Sequence, residues 1–242
     1  MVVKESNKWL YKRAGMCYDK GNFTKGKNRQ MLGRTHFFIG TAAALAVLQP
    51  QTVPALVAGA GAAAIGGLIS DIDVGTSQAH RDADKIITAT VAVAVLTILA
   101  EYKLNLGIYR RLTSDSSVLR LLAGTAAFLL ICAYGKQQPH RSFMHSFAAL
   151  ALLTACVDII YPDASAYFAV GFLSHLVLDF FNRKPEKLFW PWKKGFCLGF
   201  CSARGLVNRA LLGCGMVSLA VVLVLSAPAG RLMAKIMRAI YG

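Results

Sequence analysis

Long apolar segments separated by short polar ones run through most of the sequence. Residues 36–70 contain no Asp, Glu, Lys or Arg, and the polar tract from Gln49 to Gln51 divides them. This pattern predicts a helical hairpin with arms at 35–49 and 53–70. The first arm is short for a span of ~20 residues, so it either crosses the membrane at a tilt or forms a re-entrant helix.

Five further apolar segments follow along the chain. They lie at 86–101, 117–135, 143–161, 164–181 and 209–228. Most of them approach the ~20 residues that a helix needs to cross a bilayer. The pattern therefore predicts an all-α fold, a polytopic membrane helical bundle with about six to seven membrane segments.

The second arm of the hairpin is built from small residues that recur at every fourth position. The two series are Ala58, Ala62 and Gly66, and Gly59, Ala63 and Gly67. Small residues on one helix face allow two helix backbones to approach closely within a membrane. We therefore expect this arm to be tightly packed against its neighbours.

The composition agrees with a membrane protein. Hydrophobic residues make up 55% of the 242 residues and charged residues only 16%, below the about 25% charged content of soluble domains. Three regions are predicted: a basic cytoplasmic segment at 1–34, the membrane bundle at 35–229, and an amphipathic interfacial tail at 230–242.

The formal charge of +15 has two interpretations. A nucleic-acid-binding protein is one of them, but the Lys and Arg residues flank the apolar segments, which is also what membrane topology produces. With a cytoplasmic N-terminus and seven crossings, twenty of the 27 Lys and Arg residues lie on the cytoplasmic side. This predicts a multi-pass membrane protein with membrane lipids as its surroundings and no specific nucleic-acid partner. The oligomeric state is left open.

Seven candidate ligands lie at the ends of the predicted segments, all on the predicted cytoplasmic face. They are His36, Asp71, Asp73, His140, His145, His175 and Asp179. Ionisable residues are costly in a membrane and therefore indicate function. The placement of the seven was not used to choose the orientation, so their agreement carries weight.

The spacing within these pairs differs. His175 and Asp179 are four residues apart and share one helix face. His140 and His145 are about 140° apart on a regular helix, so we expect His140 to lie in the preceding loop. Asp71 and Asp73 diverge in the same way, which predicts a bend of the chain there.

Imidazole and carboxylate groups together suit a divalent transition metal, with zinc as the first expectation and manganese or iron as alternatives. Seven candidates exceed the four ligands of one structural zinc. They suit two metals or one metal with outer partners, and we expect one to three ions. Each residue also has an ordinary interpretation: His36 as an interfacial residue, Asp71 or Asp73 as a helix end, and Arg141 as a topology anchor.

The combined order H…D-x-D…H-R-x-x-x-H-S…S-H-x-x-x-D, followed by F-W-P at 189–191, resembles the YdjM-like family of bacterial inner-membrane proteins. The resemblance covers roughly residues 33–192 and implies that the seven candidates are the family's motif positions. It also implies a metal-dependent hydrolase, distantly similar to zinc-dependent phospholipase C and P1-type nucleases. The chain departs from the family pattern at small positions, namely Ser70, Pro139, Ser142, Met144 and Asn182.

The expected function is metal-assisted hydrolysis of a phosphoester, in a lipid or another membrane-associated substrate. Arg141 would hold a phosphate through two parallel hydrogen bonds, and Asp71 or Asp73 would take the proton of the attacking water. A cation transporter using the same residues and a structural protein with a metal clip are the alternatives. Transport sites usually lie near the bilayer midplane, and the predicted segments carry no charge in their middles.

Overall fold

The computed structural model describes residues 33–73, 116–182, 184–199 and 206–241. Seven α-helices account for most of these residues: α1 Gly33–Leu48, α2 Val53–Ile69, α3 Ser116–Gln137, α4 Phe147–Ile160, α5 Pro162–Phe180, α6 Leu206–Leu225 and α7 Ala227–Tyr241. Two short 3-10 turns, Ser70–Asp73 and Phe143–His145, follow α2 and precede α4. Within the described ranges there is no β-strand, and the predicted all-α fold is confirmed.

Three stretches are long and apolar enough to cross a membrane. They are Val53–Asp73, Ser117–Gln137 and Leu206–Leu225. Helix α1 has 16 residues, which corresponds to about 24 Å against a hydrocarbon core of about 30 Å, and α4 has only 14. The predicted total of six to seven segments is therefore not confirmed. The predicted segment at 86–101 and residues 1–32 of the basic segment at 1–34 lie outside the described residues.

Helix boundaries follow from local sequence signals. The Thr52 side chain caps α2 by accepting a hydrogen bond of 3.2 Å from the Ala55 N–H, and Ser146 caps α4 in the same way through Ala149. Tyr161 alone separates α4 from α5, which begins at Pro162, a residue suited to the first helical turn. These caps fix the directions in which α2, α4 and α5 leave their turns.

Helices α1, α2 and α5 pack against one another, and α6 packs against α1. The closest crossing joins α2 and α5, because both helices carry glycine there. A Cβ atom on Gly66 would collide with the Phe168 carbonyl, and one on Gly171 would collide with the Ala63 carbonyl. The small-residue pattern of the second arm thus corresponds to a real close approach of backbones, which brings the C-terminal ends of α2 and α5 together.

We expect Gly66→Ala and Gly61→Ala, two identical changes in α2, to have opposite effects. At Gly66 the added methyl group also lies 3.0 Å from the Phe172 nitrogen, and overpacking of this kind costs ~1–3 kcal/mol. At Gly61 no atom lies within 4 Å of the added group, so alanine should stabilise the helix by ~0.5–1 kcal/mol. Thermal unfolding of the two detergent-purified variants measures the difference. Equal stabilities would show that the crossing tolerates a wider spacing.

Candidate metal centre

All seven candidate ligands lie within the described ranges, and they meet at one end of the bundle. The start of α1 supplies one, the turn after α2 two, the residues before α4 two, and the end of α5 two. Three overlapping groups have ligand atoms within 4.8 Å of one another: His36, Asp71 and His175; Asp73, His140 and His145; and His145, His175 and Asp179. The structure therefore brings the seven together, while their role as ligands stays a prediction.

Two imidazole nitrogens form the middle of this cluster. The Nε2 atoms of His145 and His175 lie 3.4 Å apart. Asp71 Oδ1 lies 3.9 Å from each of them, and Asp179 Oδ2 lies 3.7 Å from His145 Nε2. Ligands of a tetrahedral zinc ion with bonds of about 2.0–2.1 Å are about 3.3 Å apart. Each of these four atoms thus has a neighbour at a separation near that of two ligands on one zinc ion.

The opposite nitrogens of the two rings are held by acceptors. His175 Nδ1 lies 2.8 Å from the Gly67 carbonyl oxygen, and His145 Nδ1 lies 3.4 Å from Asp73 Oδ2. A proton on each Nδ1 leaves a lone pair on each Nε2, and the two lone pairs then face each other. They repel unless a proton or a metal ion lies between them. Metal-ligating histidines are commonly oriented in this way by a carbonyl or a carboxylate.

Asp71 and Asp73, the two aspartates after α2, lie beside opposite nitrogens of the His145 imidazole. The 3-10 turn Ser70–Asp73 directs Asp71 towards His145 Nε2 and Asp73 towards His145 Nδ1. Asp73 also lies 2.7 Å from His140 Nδ1 through Oδ1 and accepts the Arg141 N–H at 3.2 Å through Oδ2. Both oxygens of Asp73 are therefore occupied by neighbours, which suits an orienting group better than a base.

His36 contributes from α1. Its ring stacks on that of His175, with centroids 3.9 Å apart and an interplanar angle of 22°. Its Nε2 lies 3.5 Å from Asp179 Oδ1, and its Nδ1 is buried without a hydrogen-bond partner in the described part of the chain. The ring thus covers one face of the His175 imidazole.

Arg141 connects the carboxylates of the site. Its backbone has φ 63°, in the left-handed region that few non-glycine residues adopt and that costs about 1–3 kcal/mol. The buried guanidinium donates from Nη2 to Asp179 and from Nη1 to the Lys184 carbonyl. Two of its donors are therefore engaged within the protein.

A segment at 184–199, which we call the strap, packs over this end of the bundle. Lys187 N–H donates to the Arg141 carbonyl at 3.1 Å, and Phe147 N–H donates to the Leu188 carbonyl at 2.9 Å. The strap contains Glu186, a fully buried acid that the sequence reasoning missed. Burial raises the pKa of its carboxyl group to about 8. The only sequence signal was its isolation, because no acidic residue follows Asp179 except Glu186.

The sequence pattern of the YdjM inner membrane protein family matches residues 31–239. The chain belongs to this family. The YdjM match spans nearly the whole chain, so it includes every candidate ligand and the strap. Neither a curated protein nor a solved structure matches the chain.

Membership in the YdjM family confirms the resemblance seen in the sequence. Together with the three apolar helices, it shows an inner-membrane protein. The predicted cytoplasmic N-terminus and the number of crossings remain predictions. The YdjM family description gives a location, the inner membrane, and no activity.

Proposed function

We propose that this YdjM protein is a metal-dependent hydrolase that cleaves a phosphoester in a lipid or another membrane-associated substrate. The observation that supports this most is that the Nε2 atoms of His145 and His175 face each other at 3.4 Å, with carboxylate oxygens of Asp71 and Asp179 within 3.9 Å of His145 Nε2. Such a mixture of nitrogen and oxygen ligands suits zinc and similar divalent ions. His145, His175 and Asp179 would hold the ion, and a water molecule would take the fourth position, on the side of Asp71.

A divalent ion bound there would lower the pKa of a water molecule and neutralise phosphate oxygens. The protein's own contribution is orientation. Asp73 and the Gly67 carbonyl fix the rings of His145 and His175, and Arg141 fixes Asp179. His36 stacks on His175, and His140 forms a second group of possible ligands with Asp73 and His145, which would suit a further ion.

The contacts of Asp71, Asp73 and Arg141 support the roles proposed for them in the reaction to different degrees. Asp71 is the better candidate for the base, because its side chain keeps 16% exposure whereas that of Asp73 has none. Arg141 holds Asp179 and the Lys184 carbonyl, and these contacts favour a positioning role over a bidentate grip on phosphate.

The strap supports a membrane-associated substrate. Trp192 is 71% exposed, and Lys193 and Lys194 beside it are exposed as well. Tryptophan is enriched at membrane interfaces, and basic residues there attract anionic headgroups. The strap would therefore hold a phosphate-bearing substrate close to the cluster.

We expect detergent-purified protein to contain at least one divalent metal per chain and to hydrolyse a member of a phosphoester panel that includes phospholipids. A chelator should remove the activity, and added Zn²⁺ should restore it. Asp71→Asn should lose activity by ~10²-fold or more, the scale of general acid–base catalysis. Metal without turnover of any substrate would favour a structural metal clip. Absence of metal from the wild-type protein would contradict the proposal.

A further inference from the structure

Glu186 is a buried acid whose carboxylate lacks a hydrogen-bond partner among the described residues. Its exposure is 0%. The backbone is fixed by two hydrogen bonds with Phe196, of 2.9 and 2.8 Å, which form an isolated antiparallel bridge within the strap. The side chain is therefore held in its buried position by the strap's own structure.

Neither carboxylate oxygen of Glu186 has a hydrogen-bond partner among the residues that the structure describes. Its strongest charged neighbours are His145, Asp179, Arg141 and Asp71. All four belong to the cluster or orient it. A buried carboxylate without a partner costs several kcal/mol when ionised, so an acid at this position is a liability unless something at the cluster satisfies it.

An ordinary packing role does not account for this residue. A leucine or a glutamine would fill a similar volume without the cost of burying a carboxylate. The surrounding strap is basic, yet the acid is turned inwards, away from Lys193 and Lys194, which are exposed. A cation on the inner side explains an inward carboxylate. Arg141 is the buried cation already there, but its guanidinium donates to Asp179 and to the Lys184 carbonyl and makes no hydrogen bond to Glu186.

We propose that Glu186 is an additional anionic group of the metal centre, and that it contacts the bound ion directly or through one water molecule. The inference rests on the proposed function to the extent that the cluster must take up a metal. It adds an oxygen ligand that comes from the strap rather than from the helix ends. The strap then closes the site and also takes part in it.

The test uses the full chain in detergent, stripped of metal and titrated with Zn²⁺. Glu186→Gln keeps the size of the side chain and removes its charge, and we expect Zn²⁺ affinity to fall by about 10–100-fold, as for other supporting groups of metal sites. Asp163→Asn is the matched control. It removes one negative charge from an exposed position in the first turn of α5, far from the Asp179 end, and should leave the affinity unchanged.

Thermal unfolding with and without Zn²⁺ separates this role from a structural one. In metal-free protein Glu186→Gln should unfold at the wild-type temperature or above, because the cost of burying an ionisable carboxyl group is removed. With Zn²⁺ the increase in Tm should be smaller than in the wild type. A structural glutamate would instead lower Tm in both conditions.

Glu186→Asp provides a second variant that keeps the charge. It should bind Zn²⁺ more tightly than Glu186→Gln, and the reverse order would show that packing matters and charge does not. Wild-type affinity in Glu186→Gln would overturn the inference while leaving the proposed function intact. A wild-type protein that takes up no Zn²⁺ would remove both.

Discussion

Replacing His145 with alanine should abolish metal binding, whereas replacing His140 should only weaken it. Both histidines contact Asp73, but only His145 directs a second nitrogen to the centre, 3.4 Å from His175 Nε2. The His140 side chain is 24% exposed and lies at the edge. Loss of a group that merely orients a ligand typically costs 10–100-fold in metal affinity. We expect a loss in that range for His140→Ala and a larger one for His145→Ala.

Equilibrium dialysis of the two metal-free variants against Zn²⁺ measures both affinities. The pair is well matched, since each change removes one imidazole that lies beside Asp73. Near-wild-type metal content in His145→Ala would exclude the metal centre proposed here. A larger loss in His140→Ala than in His145→Ala would move the ion towards Asp73 and His140, the other group of ligand atoms within reach of each other.

Replacing Arg141 with methionine should strongly destabilise the metal-free protein. The change leaves Asp179, which is only 3% exposed, without the guanidinium that faces it. Breaking a buried ion pair by removing one partner typically costs ~3–5 kcal/mol. With Zn²⁺ bound, the ion itself would face Asp179, so the destabilisation should be smaller in the loaded protein.

Unfolding of Arg141→Met with and without Zn²⁺ tests this expectation, and Arg209→Met provides the control. Arg209 is exposed near the start of α6, and exposed substitutions usually change stability by no more than about 0.5 kcal/mol. If Arg141→Met keeps full stability and metal content but loses turnover, Arg141 serves the substrate, as the sequence first indicated.

Much of this arrangement could be predicted because local spacing determines it. The four-residue spacing of His175 and Asp179 places both on the inner face of α5. The expected bend at Asp71 and Asp73 is the 3-10 turn Ser70–Asp73, and His140 does lie in the loop before α4. These three features follow from helical periodicity and helix-breaking residues, so they can be predicted without knowing which distant segments are in contact.

Other features depend on contacts between distant segments and left no local signal. Asp73 appeared equivalent to Asp71, although its oxygens are occupied by His140 and Arg141. Glu186 is buried only because the strap pairs with residues of the bundle, and a glutamate between a proline and a lysine usually faces water. The length of one segment was also overestimated. It was predicted at 143–161, whereas α4 covers only Phe147–Ile160 and the residues before it form the 3-10 turn Phe143–His145.

The ligands are widely separated along the chain, from His36 in α1 to Asp179 in α5. At a translation rate of 5–20 residues per second, about 7–30 s separate the synthesis of the first and the last. A nascent chain therefore holds isolated histidines and aspartates at the membrane edge, and none of them forms a complete site. The proposed metal loading would have to follow insertion of α5, and a ribosome-bound chain truncated before residue 175 should take up no ion.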